Sequence, residues 1–509
     1  MIDVLFVNAA SRKAVYGGLA RFSAVEPPVW AGLLARFCQE RGHSAAILDA
    51  EAFELNPQQT AFEILRANPR LCVFPIYGHQ PSASTQSLPA ARDAVNALRH
   101  ISHDHIPTLA LGTHIAALPE RTLQEEPFDF LCTGEGPATL DALIVALWAG
   151  MKFGSLIPAH LSPPGLLWRN KSGTGCSGSA RLVNDLDKEL PGQAWWHLNM
   201  KKYRAHNWHL WSGDPAGGYA SVQTSLGCPF KCSFCAINAP FTSGGAAPKL
   251  RKWSPVNVVD QITTLVRVHG ITNIRIPDEM FCLDRQHVKE ICGLLIAAGL
   301  GAKLNMWAYA RVDTVKDEEM LLMMRDAGFR WLGIGVESGS KHVRDGVEKG
   351  RFGNEEIIAA VRRVQAAGIY VGANYIFGLP DDTAESCAAT YNLAVELDTE
   401  WANFYCAMAY PGSGLHREAQ QRGWALPEDK GGPGWLGYSQ HAYEALPLRT
   451  EALSAEELLD IRDGAFMAYF SRPAYHEKIA KTFGARAVLE LNEILAAGQP
   501  RRKHRERQS

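Results

Sequence analysis

The sequence predicts an α/β protein with a doubly wound parallel sheet, a second series of strand–helix units and a helical C-terminal region. Three observations support this prediction. Strand and helix patterns alternate over residues 1–150, the alternation returns over residues 273–413, and strand patterns stop after about residue 415. At 509 residues the chain is long enough for two or three domains.

The composition is typical of a globular protein, with 47% hydrophobic and 20% charged residues and a net charge of -2. This balance gives no indication of a nucleic-acid partner or an acidic membrane surface. The N-terminal apolar run is too short for a signal peptide or a membrane helix and is typical of a first β-strand. We therefore expect a cytoplasmic chain without a membrane span, in which thiols stay reduced.

The N-terminal sheet is predicted from five strand candidates, "DVLFVNAA", "HSAAILDAE", "LCVFPIYGHQ", "TLALGTHIA" and "DFLCTGEGP". Intervening helices make such a sheet parallel, with its ligand site at the carboxyl ends of the strands. Small residues there would let a large flat ligand approach the backbone, and they are Gly78, Gly112, Gly134 and Gly136. No G-x-G-x-x-G follows the first strand, so a dinucleotide ligand is disfavoured.

Four regions follow from these patterns: the sheet domain over 1–150, a linker and interdomain strap over 151–215, a second α/β domain over 216–415, and a helical domain over 416–509. The strap "AWWHLNMKKYRAHNWHLW" is expected to pack the two α/β domains together rather than to bind substrate. The last region contains a Ser-x-x-Glu capping box and ends in a basic tail that we expect to be solvated.

Three of the eleven cysteines, Cys228, Cys232 and Cys235, lie within eight positions. One compact loop can direct three such thiolates at an iron–sulfur cluster, and three ligands leave one iron of a four-iron cluster open. A zinc site completed by Cys282 and Cys292 is the alternative, although zinc usually takes four ligands and no fourth one is nearby.

The pattern C-x₃-C-x-aromatic-C, after the strand-like "ASVQTSLG", resembles the signature of the radical S-adenosylmethionine (SAM) superfamily. The resemblance implies a partial (β/α)6 barrel and a 4Fe-4S cluster on Cys228, Cys232 and Cys235. The open iron would chelate SAM, with Phe234 near its adenine. An electron from the cluster would then cleave SAM to methionine and a 5′-deoxyadenosyl radical.

Strand candidates with intervening helices continue downstream, as a barrel requires: "NIRIPDEMF", "NMWAYARVD", "WLGIGVESGS", "YVGANYIFGLP" and "FYCAMAYPGS". Polar residues at their carboxyl ends are the candidates for chemistry. By resemblance Glu279 would meet the SAM amino group, although "PDE" departs from the usual Gly-Gly-Glu. Arg311 would clamp the SAM carboxylate and Glu337 the ribose hydroxyls. Asn374 is a further candidate, and each residue could instead form a salt bridge or strand-end cap.

The N-terminal domain resembles the cobalamin-binding module of a large radical SAM subgroup, above all in "GTHIAALPERTL" and "FDFLCTGEGPATL". These segments add Thr113, His114 and Glu135 to the glycines as candidate cobalamin contacts. The Asp-x-His-x-x-Gly motif of corrinoid carriers is absent after the first strand, which fits the subgroup's frequent lack of a lower histidine ligand. His79 and His114 could be ligands, but a structural role is the commoner outcome.

Together the two resemblances imply a cobalamin-dependent radical SAM enzyme of the subset that includes the anaerobic magnesium-protoporphyrin ester cyclase. The implied reaction moves a methyl group from SAM through methylcobalamin to an unactivated carbon after hydrogen abstraction. Two alternatives remain open: a radical cyclase, oxidase or rearrangement enzyme of the same build, and a non-catalytic corrinoid-binding protein. The substrate would be a small molecule or a peptide, and an external donor such as flavodoxin or ferredoxin would supply electrons.

Overall fold

The computed structural model describes residues 2–77, 83–149, 163–170, 173–242, 249–350 and 352–498. Its strands are β1 Ile2–Asn8, β2 Ala45–Asp49, β3 Pro69–Pro75, β4 Thr108–Leu111, β5 Phe130–Cys132, β6 Leu166–Asn170, β7 Gly173–Cys176, β8 Tyr219–Ser221, β9 Ser225–Leu226, β10 Arg251–Lys252, β11 Asn273–Arg275, β12 Asn305–Arg311, β13 Phe329–Glu337, β14 Tyr370–Phe377 and β15 Trp401–Cys406.

Helices connect and cover these strands. Those over the described residues are α1 Arg12–Tyr16, α2 Val29–Glu40, α3 Pro57–Ala67, α4 Ala83–Ile101, α5 Thr113–Ala117, α6 Pro119–Glu125, α7 Pro137–Trp148, α8 Leu186–Glu189, α9 Asn207–Leu210, α10 Pro255–His269, α11 Arg285–Ala297, α12 Glu318–Asp326, α13 Lys341–Gly346, α14 Asn354–Ala366, α15 Ala384–Leu397, α16 Gly414–Arg422, α17 Ala455–Phe470, α18 Pro473–Phe483 and α19 Ala485–Ala497. None of them is both long and apolar enough to cross a lipid bilayer.

The N-terminal sheet has the strand order β2-β1-β3-β4-β5-β6-β7. Strands β1 to β5 pair in parallel, as predicted, because helices join consecutive strands. Strands β6 and β7 then add an antiparallel edge. The described part of the expected linker therefore includes two strands, because "LLWRN" pairs with the partly polar run after it. The division into four regions stays a prediction.

The second sheet confirms the barrel topology, with six strands in the order β15-β14-β13-β12-β11-β8 and every pairing parallel. Side chains alternate between its two faces, so every second residue of each strand faces the lumen. Outward-facing residues such as Leu332 and Ile334 are fully buried against the surrounding helices. The carboxyl ends of all six strands consequently meet at one rim, where the cysteine loop follows β9.

The aromatic strap closes the opposite end of the barrel. Helix α9 places His209 so that its Nε2 lies 2.8 Å from the carbonyl oxygen of Asn305, the first residue of β12. The ring of Trp208 packs edge-on against Trp307 and Trp331, each with centroids 5.1 Å apart. The strap thus packs against the first residues of the barrel strands, and its Trp208 lines the floor of the lumen.

The C-terminal region is helical and covers the open side of the barrel. Helix α17 begins at a capping box in which Ser454 and Glu457 satisfy each other's backbone N–H groups. Arg462 of this helix donates through Nε to the carbonyl oxygen of Phe404 in β15, 2.8 Å away. This contact ties the cover to the strand that ends the sheet.

Candidate functional site

The cysteine loop follows β9 and is held by one asparagine. Asn238 accepts a hydrogen bond from the backbone N–H of Cys228 at 3.0 Å and donates one to its carbonyl oxygen at 2.8 Å. Gly227 opens the loop at φ +85°, and a side chain there would meet the carbonyl oxygen of Lys249 at 2.6 Å. The loop therefore requires glycine at this position.

The three cysteines line one cavity of about 470 Å³ in the barrel lumen, together with Phe230 and Phe234. Burial raises the pKa of the Cys228 thiol to about 11. Among the described residues, no three His, Cys, Asp or Glu side chains are grouped as a metal site. The donor set of three thiols on one short, braced loop nevertheless fits an iron–sulfur cluster with one open iron.

Cys282 and Cys292, the alternative zinc ligands, are 1% and 0% exposed and belong to the apolar core. Neither is among the described residues that line the cavity. Burial raises the pKa of both thiols, so both are neutral in the core. The geometry thus gives no support to a zinc site that draws on this pair.

The predicted strand-end residues come together at the same cavity: Glu279, Arg311, Glu337 and Asn374 all line it. They lie on or just after β11, β12, β13 and β14. This convergence follows from the parallel topology, because the carboxyl ends of adjacent strands share one rim.

Glu337 forms a buried ion pair with Lys349, with 2.5 Å between Oε1 and Nζ. Its backbone lies in the left-handed region at φ +66°, which is uncommon for a residue other than glycine. Gly335 makes room for the pair, because a side chain there would come within 2.5 Å of Glu337 Oε1 and 2.7 Å of Lys349 Nζ. A cation thus fixes a strained acid at the rim.

Arg311 joins the strand rim to the cysteine loop. It pairs with Asp313 through Nε at 3.0 Å and donates to the carbonyl oxygen of Lys349 at 2.5 Å. Its guanidinium carbon lies 3.8 Å from the ring centroid of Phe230, and Nη1 lies 3.9 Å from Cys232 Sγ. This places a permanent positive charge beside the thiol that the cluster would use.

The two acids of "PDE" differ in their surroundings. Asp278 is buried and accepts hydrogen bonds from the hydroxyls of Thr224 and Ser225 at 2.5 and 2.6 Å, so it holds the strand before the cysteine loop. Glu279 makes no hydrogen bond with the described residues. Burial raises its pKa to about 7, against the opposing charges of Arg275 and Lys349. Glu279 is thus the acid that is free to meet a ligand.

A second cavity lies where the carboxyl ends of β1 and β3 face the barrel. Asn8, Tyr77 and Thr113 line it, and so does Trp30, which stacks on Tyr77 at 4.1 Å between centroids. We call it the interdomain cleft. It shares Ile237, Arg275 and Glu279 with the barrel lumen, so the two cavities adjoin.

The remaining predicted cobalamin contacts have other environments. Gly112, His114, Gly134, Glu135 and Gly136 are not among the described residues that line the cleft. Gly112 and Gly136 have positive φ, and a side chain would meet Ile76 at the first and Leu111 at the second. Glu135 pairs with Arg251 through Oε2 at 2.9 Å and accepts the Val183 N–H at 2.6 Å.

His114 is 1% exposed, its Nδ1 lies 3.1 Å from Thr85 Oγ1, and its ring packs edge-on against Trp435. Burial lowers its pKa to about 3, so the imidazole is neutral. Gly78 and His79 lie outside the described residues. The described lining of the cleft therefore contains no histidine.

Sequence reasoning missed the residues between the two cavities. Glu26 pairs with Arg275 at 2.9 Å and accepts from the Tyr219 hydroxyl at 2.6 Å, both partners being barrel residues. A cation inside the apolar pattern "NIRIPDEMF" was the available signal for Arg275. For Lys349, which follows Glu337 in a turn, the sequence offers no comparable signal.

Two family models match this chain. Residues 222–394 match the radical SAM superfamily, and residues 17–144 match the B12 binding domain. The first match contains the cysteine loop and the strand-end residues of the barrel. The second contains Thr113 and the end of β3, which line the cleft, and it begins after β1. The class defined by this pair is an iron–sulfur enzyme that uses SAM and carries a corrinoid domain.

Two curated relatives match most of this chain. An uncharacterized methyltransferase of Pyrococcus horikoshii, PH0819, is 25% identical over 448 residues, which cover 88% of each chain. The anaerobic magnesium-protoporphyrin IX monomethyl ester cyclase of Cereibacter sphaeroides is 24% identical over 91% of this chain and 70% of its own.

Among solved structures, the radical SAM methyltransferase TsrM of Kitasatospora setae has a TM-score of 0.65 at 19% identity, over 94% of this chain and 90% of its own. That likeness shows a shared fold. This chain belongs to the cobalamin-dependent radical SAM enzymes, and its cofactors are a 4Fe-4S cluster, SAM and cobalamin.

Proposed function

We propose that this enzyme is a methyltransferase that moves a methyl group from SAM, by way of cobalamin, to an unactivated carbon. One observation carries the proposal: the interdomain cleft and the barrel lumen share Ile237, Arg275 and Glu279, so ligands in the two cavities would be neighbours. When bound, the cofactors supply the carrier of the methyl group and the radical that activates the substrate.

The chain's own residues would hold and position these groups. Cys228, Cys232 and Cys235 would ligate three irons, with Arg311 beside Cys232 offsetting the negative charge that thiolates bring. Glu279 is the acid with no hydrogen bond to the described residues, and it faces both cavities. It would receive the amino group of SAM.

The rest of SAM would contact the rim of the barrel. Glu337, held by Lys349, would accept hydrogen bonds from the ribose hydroxyls. Arg311 would redirect part of its guanidinium group from Asp313 to the SAM carboxylate. Phe234 lines the lumen beside the cysteines, where it would pack against the adenine. Asn374 lies one strand further and would complete the polar rim.

Cobalamin would occupy the interdomain cleft, with Thr113 as the predicted contact that lines it. Gly112 and Gly136 would act indirectly, because Gly112 packs the end of β4 against Ile76 after β3, and Gly136 packs the turn after β5 against Leu111 of β4. His114, sealed between Thr85 and Trp435, would not reach the metal. The described residues that line the cleft would then offer the corrinoid no histidine.

The proposal is tested without knowledge of the substrate. Enzyme loaded with cobalamin, its cluster rebuilt, is reduced and mixed with SAM carrying a deuterated methyl group. Methyl transfer predicts about one equivalent of S-adenosylhomocysteine per chain, with the label in the corrinoid fraction. Formation of methionine and 5′-deoxyadenosine alone would contradict it.

Similarity to an anaerobic cyclase supports a second candidate, a radical cyclase or oxidase of the same architecture. Such an enzyme would consume SAM without forming S-adenosylhomocysteine, so the same measurement separates the two. Either reaction needs an electron from outside the chain, and we propose a flavodoxin or ferredoxin as its donor. A cytoplasmic location stays a prediction.

A further inference from the structure

The lower part of the barrel lumen, together with the adjoining wall formed by β15, lies beyond the residues assigned to SAM. We refer to this region as the lower half and define it by six lining residues: Trp208, Trp307, Tyr309 and Trp401 toward the floor, and Asn403 and Tyr405 further along β15. Gly372 opens this space, because a side chain there would touch only Trp401 Cβ, 4.0 Å away. Its partner on the neighbouring strand, Gly333, instead makes room for the Tyr309 ring, which a side chain would meet at 2.9 Å. The wall at Gly372 thus leaves room for a ligand.

The cations that line the lumen are matched by carboxylates. Within the described residues, Arg275 pairs with Glu26, Arg311 with Asp313, Lys349 with Glu337 and Arg462 with Asp463. The acid without such a partner, Glu279, stands at the SAM end. An ionic group entering the lower half would therefore lose its hydration without gaining a counter-charge, which is costly.

The polar groups of this region are neutral. Asn403 accepts a hydrogen bond from Trp401 Nε1 and donates one to Asn374 Oδ1, at 2.8 and 2.9 Å. Tyr405 makes no hydrogen bond with the described residues, and burial raises its pKa, so it remains a phenol. Amide and hydroxyl groups of this kind recognise carbonyl, hydroxyl or ring-nitrogen groups.

The walls are aromatic. Trp208 lies nearly parallel to Trp401, with an interplanar angle of 20°, and edge-on to Trp307. Trp307 in turn packs edge-on against Tyr309 at 4.9 Å between centroids. Such rings bind flat apolar surfaces through area and offset stacking.

We infer that the lower half of the lumen binds an uncharged substrate with a flat, largely apolar body and a few neutral hydrogen-bonding groups. Phosphorylated, carboxylated and ammonium-bearing substrates are disfavoured there. The inference rests on the proposed function in taking the lumen as the substrate site. It concerns binding and can be tested without turnover.

Three probes of one shape, 2-naphthol, 2-naphthoate and 2-naphthylmethylamine, differ in charge. Their binding is measured by equilibrium dialysis against enzyme that contains its cluster, cobalamin and SAM. We expect 2-naphthol to bind at least about 10-fold more tightly than either ion, because the lumen offers no free counter-charge. Equal binding of the three, tighter binding of an ion, or no binding of any would overturn the inference.

A variant of the lumen tests where 2-naphthol binds. Gly372→Leu fills the open space in the lumen, and Gly293→Leu on α11, where the nearest atom is Met323 Cε at 3.9 Å, is the matched control outside the barrel. The first should weaken 2-naphthol binding about 10-fold while SAM binding persists, and the control should change neither. Unchanged naphthol binding in Gly372→Leu would overturn the inference, and Gly372→Ala gives a milder test if the larger variant does not fold. Absence of S-adenosylhomocysteine formation by the parent enzyme would instead count against methyl transfer and would leave the binding result unchanged.

Discussion

The barrel rim and the carboxyl edge of the N-terminal sheet differ in how many of their predicted residues line a cavity. At the barrel rim, Glu279, Arg311, Glu337 and Asn374 all line one cavity. At the edge of the N-terminal sheet, one predicted contact in the described residues, Thr113, lines the cleft, while Glu135 and others are engaged in packing and ion pairs. The charged residues at the strand ends converge on one cavity, whereas the described glycines pack closely against neighbouring residues.

The contrast has a physical basis. A buried charge at a strand end needs a partner or a ligand, so its presence in the sequence restricts what the surroundings can be. A glycine satisfies either a ligand or a neighbouring strand. Gly112 shows the second outcome, because its φ of +145° and its contact with Ile76 leave no room for a side chain.

The largest effect is expected from the cysteine loop. Cys232→Ala should reduce the iron content from about four per chain to near zero and abolish 5′-deoxyadenosine formation, because two ligands do not hold the cluster. Iron analysis after anaerobic reconstitution gives the answer. Cys282→Ala, in the apolar core, is the matched control, and equal iron loss in both variants would contradict the assignment.

The second largest effect is expected at the wall between the two cavities, where Glu26 pairs with Arg275. Glu26→Gln leaves Arg275 buried without its counter-charge and should cost about 3–5 kcal/mol of unfolding free energy. Urea denaturation measures this cost. The double variant Glu26→Gln/Arg275→Met should recover part of it, since it removes the unpaired charge. If Glu26→Gln is as stable as the parent, the ion pair does not contribute to holding the two domains together.

The ion pair between Lys349 and Glu337 is expected to support SAM binding at the barrel rim. Lys349→Met should weaken SAM binding about 10-fold, because the buried Glu337 carboxylate loses the cation that holds it in place. Lys349→Arg, which keeps the charge, should retain most of the affinity. Equilibrium dialysis with labelled SAM distinguishes the outcomes, and an unaffected Met variant would remove Lys349 from the site.

A smaller effect concerns pH. Burial raises the pKa of Glu279 to about 7, so its carboxylate is ionised above that value and neutral below it. SAM binding should therefore weaken as the pH falls from 8 to 6, by up to about 10-fold. In Glu279→Gln the profile should be flat over this window. Parallel profiles in parent and variant would assign the titration to another group.

Both parallel sheets were predictable from the sequence, because apolar strand patterns and helix–glycine–strand repeats report local structure. The cysteine loop and the strand-end residues of the barrel were predictable as well. Lys349 was not, since its role depends on a turn that folds back onto Glu337. Glu26 and Arg275 were missed because they are 249 positions apart and meet through domain packing. The sheet edge β6–β7 was missed because its second strand is partly polar.

We expect this chain to hold an iron–sulfur cluster and a corrinoid in adjoining cavities, and we expect that His114 does not ligate the cobalt. The most direct measurement is the cobalt content, iron content and absorption spectrum of protein rebuilt without oxygen, given hydroxocobalamin and desalted. We expect about one cobalt and about four irons per chain, with a base-off spectrum that His114→Ala leaves unchanged. Iron without retained cobalt, or a spectrum altered by that substitution, would contradict it.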